Sequence, residues 1–185
     1  MSKIQSNQEF DVYSMTQMAI CVALLCVSAY ISFPVPFAAA MITALTIVMN
    51  LTAFILTPKQ TFVVMLVYVG LGTAGLPVFV GGAAGIGELI GPRGGFLAAF
   101  VIAYPVVSWL KGRVPSVRRY AAAAILIGIP ITYIGGLITL MLFMHLSLWQ
   151  GIVAAVLPFI PGDIVKALAA AWLGVKLQGI LAQIH

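Results

Sequence analysis

The sequence predicts an all-α integral membrane protein with six transmembrane helices, and three observations carry that expectation. The chain of 185 residues is 63% hydrophobic and only 7% charged, with a mean hydropathy of +1.16. A water-soluble domain carries about a quarter charged residues, so this composition cannot clothe a water-facing surface. Apolar runs near the length needed to cross a bilayer recur between polar or proline-bearing breaks. Finally, Lys3, Lys59, Lys111, Arg113, Arg118, Arg119 and Lys176 all fall at alternate ends of those runs, as cytoplasmic positions should.

The first run covers residues 13–33 and ends at Pro34-Val35-Pro36. The second covers 37–56 and stops at Thr57-Pro58-Lys59; the third, 61–75, is short and turns glycine-rich at its end. Residues 76–95 interrupt the pattern with glycines, two prolines and the charges Glu88 and Arg93. A fourth run, 95–110, is closed by the basic stretch 111–119, and a fifth spans 120–144. Residues 147–157 are apolar but too short to cross, which predicts an interfacial or re-entrant segment. Proline and glycine at 158, 161 and 162 then precede a sixth run, 161–178. The whole chain, 1–185, reads as one transmembrane domain. Residues 1–12 are a polar cytoplasmic lead-in, lacking the apolar core and cleavage site of a secretory signal.

With the N-terminus inside, seven of the nine basic residues are cytoplasmic, and so is the C-terminus. The net charge of +5 therefore reads as topology, since no basic stripe with interleaved aromatics marks a nucleic-acid surface. Cys21 and Cys26 lie about 140° apart around one helix, which fits neither a disulfide nor a metal site. The three outer connections each set proline close to phenylalanine. Non-helical backbone at membrane depth is tolerated only inside protein or around a cavity, although turns anchored by interfacial aromatics fit the same pattern.

Four charged residues fall on the outer side: Glu88, Arg93, Asp163 and Lys166. Charges in such a chain ordinarily keep a partner or a ligand. Asp163 and Lys166, at i and i+3, share one face of the sixth helix near its start. A carboxylate accepts N–H groups and an ammonium donates to oxygen, so the pair can grip a molecule that carries both. The same spacing suits a first-turn Asp paired with its own Lys. Arg93 has no evident local partner except Glu88, which is five residues earlier and not expected on its face, and its planar fork suits a carboxylate. Glu88 fits either a pairing or a lining role.

Other motifs are bland. Gly70-Leu71-Gly72-Thr73-Ala74-Gly75 has dinucleotide-loop spacing but follows a membrane span, which makes it helix packing and a helix end. No phosphate loop occurs, so any ATP that drives this chain is hydrolysed by another subunit. No nucleophile turn, histidine pair or metal spacing supports an enzyme, and His145 reads as interfacial. Ala19 and Ala23 put small residues on one face of the first helix, where another helix can approach, within the bundle or from outside it.

Three segments carry a resemblance: Leu76-Pro77-Val78-Phe79-Val80-Gly81-Gly82, Gly91-Pro92-Arg93-Gly94-Gly95-Phe96, and Pro158-Phe159-Ile160-Pro161-Gly162-Asp163-Ile164-Val165-Lys166. Together they resemble the BioY family, the biotin-specific substrate-binding components (S-components) of energy-coupling factor transporters, over essentially the whole chain. The resemblance implies a six-helix S-component fold in a bacterial cell membrane, no cofactor, and a biotin pocket near the outer face. It also implies docking onto a module of one transmembrane coupling subunit and two ATPase subunits, through the Ala19 and Ala23 face; Val27 takes a third position where a small residue is expected. Biotin is largely apolar, with one carboxylate and one cyclic urea. Asp163 can take an N–H of the urea, Lys166 can reach its oxygen or the carboxylate, and Arg93 suits the carboxylate. Phe37, Phe79, Val80 and Phe159 would supply apolar walls, with Gly82 and Glu88 beside them. The alternatives are an S-component for another vitamin and a self-sufficient secondary transporter.

Overall fold

The computed structural model describes residues 11–34 and 41–184. The six apolar runs are helical: α1 (Val12–Ser28), α2 (Leu45–Ile55), α3 (Pro58–Thr73), α5 (Gly94–Leu110), α6 with α7 (Val117–Ala123 and Ile129–Met144), and α9 (Ile160–Ile184). Short α4 (Ile86–Leu89) and α8 (Leu148–Ala155) lie in the connections. Among the described residues, Val117–Met144 and Ile160–Gln183 are each long and apolar enough to cross a membrane. The 17-residue α1 and α5 reach about 25 Å at 1.5 Å per residue, just short of a hydrocarbon core.

The structure corrects the ends of the first two runs. Helix α1 stops at Ser28 instead of continuing to residue 33, and α2 begins at Leu45 instead of residue 37. Between them, β1 (Ser32–Pro34) pairs antiparallel with β2 (Met41–Thr43). The proline-bearing stretch explains the change, because proline lacks the N–H a helix needs and pushes its predecessor to extended backbone. The Thr43 hydroxyl then accepts from Leu45 N–H at 2.9 Å and opens α2. Phe37 and Lys3 lie outside the described residues.

Most other boundaries follow local chemistry. Asp11 accepts from Ser14 N–H at 2.9 Å and caps α1. Thr57 and Gln60 form a capping box with Pro58 in the first turn of α3, and Ser147 with Gln150 does the same for α8. Helix α7 ends where His145 turns left-handed, at φ 52°. Residues Ala124–Gly128 form a π-helical turn between α6 and α7. Pro130 cannot donate to the carbonyl four residues before it, that of Leu126, so the ladder is already broken where the extra residue is accommodated.

Helices α5 and α7 touch through their backbones. A Cβ on Gly95 would sit 1.9 Å from the Gly135 carbonyl oxygen, and one on Gly135 would sit 2.7 Å from the Ala99 Cβ. Small residues permit this approach, and packing of this kind drives helix association in lipid. Thr139 then ties the start of α5 to α7, accepting from Gly95 N–H at 3.1 Å and donating to the Pro92 carbonyl at 2.9 Å.

The opposite end of the bundle is held by a polar knot. Lys111 donates to the carbonyls of Ala53 and Phe54 at 2.9 and 2.8 Å and also to that of Leu56. Ser108 donates to Leu56 at 2.7 Å, and Gln178 donates to Phe54 at 2.8 Å. The last carbonyls of α2 thus find donors from α5 and α9, with a cation at the negative helix end. Burial pushes the Lys111 ammonium down to about 8. Around this frame Leu25, Met49, Phe54, Met65, Tyr68, Val107 and Tyr120 are fully enclosed, while Leu24, Ile102, Leu126, Ile134 and Leu142 face outward.

Among the described residues, six helical stretches run between the two ends of the bundle. The hairpin, residues 74–93 and α8 lie at one end, with Arg93, Asp163 and Lys166. The basic residues Lys59, Lys111, Arg113, Arg118 and Arg119 lie at the other.

Candidate functional site

Asp163 sits one turn into α9, and its carboxylate is the hub of a polar cluster. Lys166 donates to Oδ1 at 2.9 Å, and the Tyr133 hydroxyl of α7 donates to Oδ2 at 2.6 Å. The Asp163 and Lys166 side chains are each 14% exposed. The i, i+3 spacing set the first contact; the second needed α7 and α9 to pack. Charge-assisted bonds of this length are the stronger kind.

Asp163 borders a small cavity of about 20 Å³ lined by Thr46 and Asn50 of α2, Tyr104 of α5, Ala124 and Gly128 of the π-helical turn, and Thr132 and Tyr133 of α7, among others. The volume suits about one water molecule. Five polar lining residues, Thr46, Asn50, Tyr104, Thr132 and Tyr133, escaped the sequence reading. Each lies inside an apolar run without a charge to draw attention. The available signal was a hydrogen-bonding side chain in a membrane helix, which ordinarily turns inward. A larger groove of about 490 Å³ lies at the opposite end between α1 and α9, bordered by Asp11, Gln17 and Gln178. Asp11 is already used as a helix cap there, and Gln178 caps α2.

Arg93 corrects an expectation. Its Nε lies 3.3 Å from Glu88 Oε2, and its Nη2 donates to Oε1 at 3.4 Å, so the two residues face each other despite their spacing. They do so because α4 ends at Leu89 and the chain turns through Gly91 before α5, which places Arg93 outside the helix that carries Glu88. The Arg93 side chain is 52% exposed, and such a pair contributes little to stability. Thr139 of α7 donates to the carbonyl of Pro92, next to Arg93, whereas Asp163 contacts α7 at Tyr133, six residues earlier in that helix.

Three of the residues expected as apolar walls, Phe79, Val80 and Phe159, are among the described residues. Phe79 is buried in the core, edge-on to Tyr68 at 5.8 Å, with its ring where a side chain on Gly72 would stand. Val80 packs against the same core. Gly82 lies in a 3-10 turn at φ 77°, where a Cβ would be 3.7 Å from the Tyr30 ring. Phe159 is buried just before α9, and its carbonyl accepts from Asp163 N–H at 2.8 Å. None of these residues lines the polar cavity. Ala19 and Ala23 are exposed, so the internal-packing reading of that pair fails: the face points out of the bundle.

The model of the BioY family matches residues 3–183. The chain belongs to the BioY family. It is accordingly a membrane protein of a transport family and not an enzyme. It is 36% identical over 165 residues to the probable biotin transporter BioY of Pyrococcus horikoshii, covering 88% of this chain and 94% of that one. Against the probable biotin transporter BioY of Bacillus subtilis it is 35% identical over 180 residues, 91% of each chain. The biotin transporter BioY of Thermotoga maritima is 32% identical over 162 residues, 86% of this chain and 92% of that one. The fold matches the crystal structure of the S-component for biotin from an ECF-type ABC transporter. The TM-score is 0.85 at 22% identity, covering 96% of this chain and 95% of that one. The BioY chain therefore has the S-component fold.

Proposed function

We propose that this chain is the biotin-capturing membrane subunit of an energy-coupling factor transporter. It takes the vitamin from the outer side and delivers it when a separate module hydrolyses ATP. The observation that carries the reading is the Lys166–Asp163–Tyr133 cluster on the wall of a cavity, within a chain that keeps only 7% charged residues. The relatives named biotin transporters supply the ligand. Both termini are cytoplasmic in this reading, so the end that carries Arg93 and Asp163 is extracellular.

The cluster also favours an orientation. The Asp163 carboxylate makes the cavity rich in acceptors, which attract the N–H edge of a ureido ring and repel a carboxylate. Lys166 keeps two N–H donors beyond the one given to Asp163, and these suit the ureido oxygen. The biotin carboxylate then lies toward the exposed Arg93, which exchanges Glu88 for it. Phe79, Gly82 and Phe159 belong to the segments that flank the site in this reading. The exposed Ala19 and Ala23 face admits a helix of the coupling subunit.

Equilibrium titration of biotin against the purified chain, without ATP, tests the function. Saturable binding that thiamine and riboflavin do not displace is expected. Absence of biotin binding by folded protein, or tighter binding of another vitamin, refutes it.

A further inference from the structure

We propose that Asn50 determines specificity at this site: its side-chain carbonyl accepts one N–H of the ligand's ureido ring while Asp163 takes the other. The inference rests on the biotin reading above. Asn50 lies in the middle of α2 and is only 6% exposed. Its Nδ2 donates to the Thr46 carbonyl at 2.8 Å, which sets the direction of the amide, because the flipped group would turn oxygen toward oxygen. Oδ1 is then left buried with no hydrogen-bond partner among the described residues, and Asn50 borders the same cavity as Asp163. A buried carbonyl without a donor is costly, and native proteins keep few of them. One turn earlier, Thr46 borders the same cavity, and its Oγ1 is also buried without a partner among the described residues.

Together these groups define what the cavity lacks. Asp163 has one donor on each oxygen and retains free lone pairs. Asn50 Oδ1 has no donor at all. Two acceptors carried on different helices, α2 and α9, suit a ligand edge that presents two N–H groups on either side of one carbonyl carbon. A site built to accept N–H groups rejects analogues that lack them, since its own acceptors then stay buried and unpaired.

The test is calorimetric titration of biotin and its two singly N-methylated forms against wild type and Asn50→Leu. Asn50→Leu is expected to weaken biotin binding about ten- to a hundredfold. For the methyl isomer that has lost the N–H facing position 50, wild type and variant should bind alike; the other isomer should keep the full difference. Asn50→Ala removes the same acceptor without added bulk and repeats the measurement should Leu disturb the helix. Wild-type affinity for biotin in both folded variants overturns the inference. So do losses from substitution and methylation that multiply for both isomers. A wild-type chain that binds no biotin removes the parent reading, and this inference with it.

Discussion

Replacing Asp163 with Asn tests the centre of the site by the sign of its effect. The carboxylate holds Lys166 at 2.9 Å and Tyr133 at 2.6 Å, with both charged side chains 14% exposed. An amide keeps the shape but loses the charge and puts a second donor among donors. A hydrogen bond to a charged group contributes about 1.5–3 kcal/mol. If the ureido N–H edge faces Asp163, biotin affinity should therefore fall about ten- to 150-fold. If the biotin carboxylate instead enters the cavity, Asp163→Asn removes a repelling charge and frees Lys166, and binding should tighten. Titration calorimetry in detergent or nanodiscs reads the difference, and thermal unfolding without ligand reports the intrinsic cost. Freed of its partner, the Lys166 ammonium should lower stability on the order of 2–3 kcal/mol. Unchanged affinity in a folded variant would reduce Asp163 to a helix-start partner for Lys166. Tighter binding would refute the orientation.

Four further outcomes are expected. Arg93→Lys should weaken biotin about tenfold but leave binding of the neutral biotin amide nearly unchanged, since the two-bond fork matters only to the carboxylate; equal losses for both ligands would detach Arg93 from the ligand. Lys111→Met should lower the stability of the chain by about 1.5–3 kcal/mol in thermal or denaturant unfolding while leaving biotin affinity intact, because it strips a cation from the carbonyls of α2 far from the cavity. Gly95→Ala should cost about 1–3 kcal/mol or more through its clash with the Gly135 carbonyl, whereas Gly70→Ala, with nothing within 4 Å, should be near neutral on the same melting assay. Ala23→Leu should reduce co-purification with the ATP-hydrolysing module and spare biotin binding, since the exposed face would lose its close approach.

Composition and run length were enough to read a helical membrane chain, because each depends only on a residue's own affinity for lipid or water. Asp163 and Lys166 were legible for the same reason: a helix puts i and i+3 side by side wherever it packs. Local rules failed first between residues 28 and 45, where hydropathy continues through what is in fact a helix end and a hairpin. Hydropathy records how a residue partitions, not which backbone conformation its prolines permit. The Arg93–Glu88 pair stood only as one of two roles for Glu88, because helical spacing was carried across a break at which the chain leaves the helix.

What only the tertiary structure decided is which polar groups meet. Lys111 reads in sequence as one more cytoplasmic charge, yet folded it caps a helix some 55 residues away in the chain. Tyr133 and Asn50 are single polar letters in apolar runs, with no period or neighbour to mark them. One becomes a donor to Asp163 and the other an unpaired acceptor on the same cavity only when α2, α7 and α9 pack together. Partition into lipid is a property of each residue and can be read from the chain; hydrogen bonding is a property of pairs, and the pairs exist only after the helices have packed.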